Sequence, residues 1–259
     1  MTTKRQGWTN WATAATLAIG CASGCGAPAS SDGNGATVAT ESAAIAARHE
    51  PPNAALFGKD ERPFGLDMTR WSEDWWRWAY SMPTASNPNT TLTVDCDAGQ
   101  EGPMFFLPGY FAGGATTRTC SVSRHQPIAV SIVSLLNDYP CPDPTFKPAP
   151  GQSLFDFLLT GATQAQTSEV ASVSASLDGQ PFTDLASYHY DSNELFYLTG
   201  DKSLQAIDSC VTGTRQPAVS ASYFIVLKPL SPGRHVLTTS VTAPSGTAFS
   251  QATTTLDVR

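Results

Sequence analysis

The chain has 259 residues, enough for one large or two modest domains, and its formal net charge of −7 excludes the basic stripe of a nucleic-acid footprint. Charged residues make up 14%, against roughly 25% in an average soluble domain, and Ser, Thr, Gly and Pro take up the difference, as in exported all-β proteins with many turns. Beyond the N-terminus no apolar run approaches the ~18 residues needed to span a bilayer.

Lys4 and Arg5 form a short positive region, and Trp8 to Gly20 a mildly apolar one ending in small residues, the pattern of an export signal. A small residue precedes both Cys21 and Cys25, which resembles the bacterial lipobox, where signal cleavage leaves a lipidated cysteine as the new N-terminus. Residues 1–25 are therefore expected to be a signal peptide, with Cys25 or Cys21 as the lipidation site; an ordinary cleaved signal is the competing reading. Acylation would hold the protein on a membrane surface without a spanning helix. Residues 26–55 are small, polar and low in complexity, which predicts a flexible tether, and His49 within it is given no role. Residues 56–259 are expected to form one domain.

Asp67 to Met82, DMTRWSEDWWRWAYSM, holds four of the six tryptophans. At about 100° per residue, Trp71, Trp75, Trp78 and Met82 fall on one stripe, widened by Ala79. Arg70, Glu73, Asp74, Arg77 and Ser81 fall on the other side, with Glu73 four residues before Arg77. Thr69 is placed to cap this helix and Pro83 to stop it at Met82. Trp76 and Tyr80 lie off the stripe by roughly 100° or more. If exposed, they can stack on sugar rings or a partner, which makes them the candidate ligand-binding residues. If a second layer such as Phe105, Phe106 or Phe111 covers them, they belong to the core, and the core reading weighs more.

After a turn at Pro83 to Asn89, a short strand at Thr91 to Val94 leads into Cys96. Pro103 to Phe111 is strongly apolar, Ala112-Gly113-Gly114 has turn chemistry, and Thr116 to Val122 is predicted as the return strand of a hairpin. Pro127 to Leu136 is β-branched and nearly free of charge, a buried strand. Asn137 to Pro150 is a proline-rich loop. Ser153 to Gln166 is a helix capped by Ser153, with Asp156 at its third position. Ser172 to Leu177 alternates before Asp178-Gly179, the strongest hairpin signal in the chain. Tyr188 to Leu198 is partly extended. Ser222 to Leu227, a turn at Pro229 to Gly233, His235 to Val241 and Thr253 to Val258 complete the pattern. The expected fold is mainly β: an antiparallel β-sandwich with an N-terminal Trp-rich amphipathic helix and one further short helix.

Four cysteines follow the leader, Cys96, Cys120, Cys141 and Cys210, and an even number in an exported chain predicts two disulfides. Of the three connectivities, hairpin neighbourhood favours Cys96 with Cys120, leaving Cys141 with Cys210. There is no CxxC and no histidine at ligand spacing, so neither a metal nor another cofactor is expected. GxSxG, HExxH, a P-loop and a dinucleotide fingerprint are all absent, so no catalytic residue is assigned. His189, between Tyr188 and Tyr190 with Asp191 and Glu194 nearby, is the most interesting of the four histidines. A solvated strand face outweighs a functional role there, and a hydrolase built on those three residues is the alternative.

These residues resemble a family of uncharacterised exported bacterial proteins. Its W-S-x-x-W-W-x-W helix is matched by Trp71, Ser72, Trp75, Trp76 and Trp78, and its C-x-x-G-Q-x-G-P motif by Cys96, Gly99, Gln100, Gly102 and Pro103. Arg118, Cys120 and Val122 match an R-x-C-x-V step, and Leu227, Pro229 to Gly233 and His235 match L-x-P-L-S-P-G-x-H. The likeness covers about residues 56 to 258 and departs after Val122, where SRHQPIAVSIV stands. It implies architecture and export and carries no chemistry. The expectation for function is an exported, lipid-anchored cell-envelope protein, held to the membrane surface by its N-terminal lipid. Its role is expected to be a non-enzymatic binding or structural module whose partner is a glycan or another envelope protein, not nucleic acid.

Overall fold

The computed structural model describes residues 53–259. The expected signal peptide with Cys21 and Cys25, the tether as far as residue 52, and His49 lie outside the described residues. From Asn53 onward the chain is packed: the Asn53 side chain exchanges hydrogen bonds with the Thr183 backbone, and Lys228 N donates to Ala55 O at 2.8 Å.

Among the described residues, ten strands form two sheets. The first contains β1 (Phe105–Leu107), β3 (Ile128–Asp138), β8 (Arg215–Leu227) and β6 (His189–Asp191) in that order, and β7 (Phe196–Thr199) also pairs with β8. The second runs β2 (Gly114–Val122), β10 (Ala248–Val258), β9 (Gly233–Thr242), β4 (Ser172–Leu177) and β5 (Gln180–Pro181). Two α-helices accompany them among the described residues, α1 (Met68–Tyr80) and α2 (Leu154–Glu169). The fold is mainly β, as expected, and most pairings are antiparallel. Two are parallel: β1 with β3 and β2 with β10.

Those parallel pairs correct the predicted hairpin. Phe105–Leu107 is buried throughout and needs a position against β3, where it is covered on both faces. The threonine-rich β2 buries only its C-terminal end and suits the edge of the other sheet. The chain therefore crosses between sheets at Gly113 and Gly114, whose φ angles of 67° and 80° favour glycine. Thr91 to Val94 is turn, not strand.

The Asp178-Gly179 hairpin joins β4 to β5, with both residues at positive φ (53° and 78°), as a two-residue primed turn requires. Ser153 caps α2, accepting from Asp156 N at 3.0 Å. The predicted disulfides are both present, Cys96–Cys120 and Cys141–Cys210, with Cα separations of 5.4 and 4.2 Å.

The first sheet is the middle layer. Alternate residues of β8 point to opposite faces. Ile225 and Leu227 meet the second sheet through Leu237, Leu256 and Val258, and Val219 and Ala221, on the same face, meet α2 through Leu158 and Ala162. Phe224 and Val226, on the other face, meet α1. Gly161 lets α2 approach β3 closely, since a Cβ there would lie 2.6 Å from Asn137 Nδ2.

Helix α1 starts at Asp67, not Thr69: the Asp67 carboxylate accepts from Arg70 N at 2.9 Å. Its regular part ends at Tyr80, two residues short of Met82. Each of its four indole N–H groups reaches an acceptor: Pro63 O, Leu107 O, Ser134 Oγ and Ala98 O, at 2.7–3.1 Å. Polar side chains tie down the segments that follow this helix. Gln100 exchanges hydrogen bonds with the Phe106 backbone, and the fully buried Asn87 donates to Ala79 O at 2.7 Å. Arg118 donates to Pro88 O, and His235 is held between Asp178 and Ser231.

Candidate functional site

The two candidate ligand contacts, Trp76 and Tyr80, are core residues, the reading that carries more weight. Trp76 is 5% exposed and Tyr80 is 6% exposed. Phe111 stacks on the Trp76 ring at 6.0 Å and meets Tyr80 edge-on at 5.8 Å. The wheel assumes one buried face, whereas α1 is covered on two sides, by the first sheet and by the loop carrying Phe111. The Tyr80 hydroxyl donates to Asp208 Oδ2 at 3.1 Å, and burial pushes its pKa well up.

Beneath Tyr80, Asp138 is 2% exposed and accepts from Gln216 Nε2 at 2.5 Å. Burial, and then the charge of Asp208, push its carboxyl up to about 8. Asp138, Cys141 and Cys210 bring potential ligand atoms within 4.8 Å of one another, but the sulfurs are joined in a disulfide and offer no thiolate.

Two surface clefts gather polar side chains. One, of about 280 Å³, lies where α1 meets β7 and the start of β8. Arg70, Glu73 and Arg77 come from successive turns of α1, Glu194 from the loop before β7, and Tyr197 and Arg215 from facing edges of β7 and β8. Glu73 lies at its floor, 5% exposed, and accepts from Ser192 Oγ at 3.1 Å. Burial pushes its pKa up; the Ser192 hydrogen bond and the charges of Arg77 and Arg70 oppose this. Arg77 is fully engaged, with Asp74 at 2.6 Å, Tyr197 O at 3.0 Å and its guanidinium over Phe196. Arg215 differs: its guanidinium lies 3.6 Å from the centroid of the exposed Tyr197 ring, and it makes no ion pair among the described residues.

The other cleft, of about 340 Å³, lies between the C-terminal half of α2 and β6. His189 and Asp191 are alternate residues of β6 and project to the same side, and Tyr190 between them points to the other side and reaches Lys59 O. Gln166 enters from α2, and Tyr223 of β8 packs on the His189 ring at 4.8 Å. The structure thus brings His189 and Asp191 together but places Glu194 in the arginine cleft, which breaks up the trio of a possible hydrolase. Reading the sequence alone passed over Gln166, Tyr197 and Arg215. The alternation His189-x-Asp191 on a strand was the one available signal, since Gln166 and Arg215 arrive from distant segments.

No family model matches the chain, and no curated protein does. Among solved structures it is similar to PbICP-C, solved in complex with falcipain-2, at 15% identity over 61% of this chain and 100% of that one, with a TM-score of 0.24. It is also similar to Amebosin in solution, at 10% identity over 56% of this chain and 96% of that one, with a TM-score of 0.18. Likeness at that level carries no conclusion about fold or activity. The fold is that of a mainly β domain with two disulfides and a tryptophan-rich helix. No helix among the described residues is long and apolar enough to cross a membrane.

Proposed function

We propose that this is an exported, lipid-tethered domain of the cell envelope that binds an acidic glycan in the arginine cleft and catalyses no reaction. The leader-like N-terminus, the cysteines that follow small residues within it, and the two disulfides support export. The observation that supports the ligand most is Arg215. Stacking on Tyr197 fixes the plane of its guanidinium, so its N–H edge is preorganised for a planar carboxylate. Arg70, half exposed and paired only loosely with Asp74 at 3.4 Å and Glu73 at 3.9 Å, supplies a second positive group at the same mouth. The partly exposed Tyr197 edge gives a sugar ring an apolar neighbour.

The chain's charge of −7 repels a polyanion at long range, so attraction must be local and short-ranged. Titration calorimetry against a polyuronate and a neutral polysaccharide of equal length tests this. The polyuronate should bind and the neutral polymer should not. R215A should lose about tenfold to hundredfold in affinity, the equivalent of one charge-assisted contact. Equal binding of both polymers, or an R215A variant that binds as well as the parent, contradicts the proposal.

A further inference from the structure

Glu73, at the floor of the arginine cleft, has two carboxylate oxygens with different partners. Oε1 accepts from Ser192 Oγ at 3.1 Å, and Oε2 faces Arg77 Nη2 at 3.6 Å and Arg70 Nη1 at 3.9 Å. Ser192 Oγ also accepts from Ser220 N at 3.0 Å, which leaves its own hydrogen to point at Glu73. Oε1 is thereby fixed as an acceptor, and a proton taken up by Glu73 sits on Oε2, the oxygen that faces both guanidinium groups. The two arginines are not held alike. Arg77 has Asp74 Oδ1 at 2.6 Å, Tyr197 O at 3.0 Å and the Phe196 ring at 4.9 Å, so it stays in place without Glu73. The half-exposed Arg70 guanidinium has, besides Glu73, a single anionic neighbour in the fold, Asp74 Oδ1 at 3.4 Å, and Arg77 shares that oxygen.

We propose that Glu73 gates the arginine cleft: ionised, it holds Arg70, and protonated on Oε2, it releases Arg70 to the acidic ligand, so binding tightens as the pH falls and draws a proton onto Glu73. This rests on the acidic-glycan reading of the cleft and adds its regulation. Charge balance sets the sign. Arg70 and Arg77 on α1 and Arg215 on β8 are met by Glu73 and Asp74 on α1 and Glu194 from the loop before β7, three positive groups against three negative. A proton on Glu73 leaves that group one positive charge in excess. Of the three acids Glu73 is the one sealed in the floor, since Glu194 is exposed and Asp74 keeps its close pair with Arg77. Burial favours the neutral form of Glu73, and the Ser192 hydrogen bond and the Arg77 and Arg70 charges oppose this without cancelling it. An anionic ligand that engages Arg70 withdraws part of that opposition and adds its own negative charge nearby, so it raises the proton affinity of Glu73. By reciprocity the proton raises the affinity for the ligand by the same factor.

Titration calorimetry of the full chain with an oligouronate, in pairs of buffers that differ in ionisation enthalpy, tests the gate. The parent should bind about threefold to fivefold more tightly near pH 5 than near pH 7.5, the equivalent of one exposed charge pair, and should take up protons as it binds. E73Q is neutral at every pH and can keep the Ser192 hydrogen bond. It should bind near pH 7.5 as tightly as the parent does near pH 5, without proton uptake. The ratio of the two affinities at each pH cancels titration of the ligand's own carboxylates, and it should approach one as the pH falls. Circular dichroism melts show whether the variant is folded, and the parent's own proton uptake needs no variant. An E73Q protein that keeps the parent's pH profile, or a parent that binds without proton uptake at every pH, overturns the gate and leaves the acidic ligand in place. No binding by either protein at any pH removes the acidic-ligand reading and the gate with it.

Discussion

Replacing Trp75 probes the packing of α1 at its centre. Trp75 is 3% exposed, its ring meets Trp76, Trp78 and Phe111, and its Nε1 donates to Leu107 O at 2.9 Å. Returning about 200 Å² of apolar surface to water costs about 5 kcal/mol at 25 cal/mol per Å², the top of the range for aromatic-to-alanine substitutions. W75A should therefore lose about 5 kcal/mol, a large share of the total stability of a typical domain. W75F keeps most of the ring contacts and strips Leu107 O of its donor, so it should lose about 1–3 kcal/mol. Urea unfolding followed by far-ultraviolet circular dichroism gives both values without relying on tryptophan emission. Equal losses for the two variants, or a W75A loss below about 1 kcal/mol, would refute the reading of Trp75 as a packed core residue.

The raised pKa of Asp138 has a definite sign. Its carboxyl titrates near 3.9 in an unfolded chain and at about 8 in the fold, so the fold binds the proton more tightly. The stability it contributes is full below about pH 4 and is lost as the pH rises toward about 8. D138N removes that titration, so its unfolding midpoint should gain on the wild type between about pH 5 and pH 8, and parallel profiles would count against the burial of a proton there. The disulfides should rank by loop length. In the chain-entropy picture, sequence separations of 69 and 24 make loss of Cys141–Cys210 cost about 4.4 kcal/mol and loss of Cys96–Cys120 about 3.5 kcal/mol. Denaturant midpoints of C141A/C210A and C96A/C120A check the order.

Local chemistry was the legible part of the sequence. Ser153 with Asp156, and Asp178 with Gly179, announced a helix start and a tight turn because the residues that decide them are neighbours. The cysteine pairing was also correct, though for a partly wrong reason: Cys120 lies on β2 as expected, but no hairpin brings Cys96 to it. Sheet membership was not legible. An apolar run, a glycine turn and a threonine strand look alike whether the chain folds back or crosses to a second sheet, and long-range burial decided between them. For Trp76 and Tyr80 the heavier reading, that a layer such as Phe111 covers them, is the one the structure shows, although a helical wheel alone does not show that cover. The clefts are the least legible features of all. Arg215 and Tyr197 lie 18 residues apart on strands whose register sets their stacking, and Gln166 reaches His189 from a separate helix.

The binding proposal is tested most directly by mapping amide and side-chain chemical shifts of the protein as an oligouronate is added. Perturbations should centre on Tyr197, Arg215 and Arg70, with no response to the neutral oligosaccharide. Shifts that centre on another surface, or none at saturating oligouronate, would contradict it.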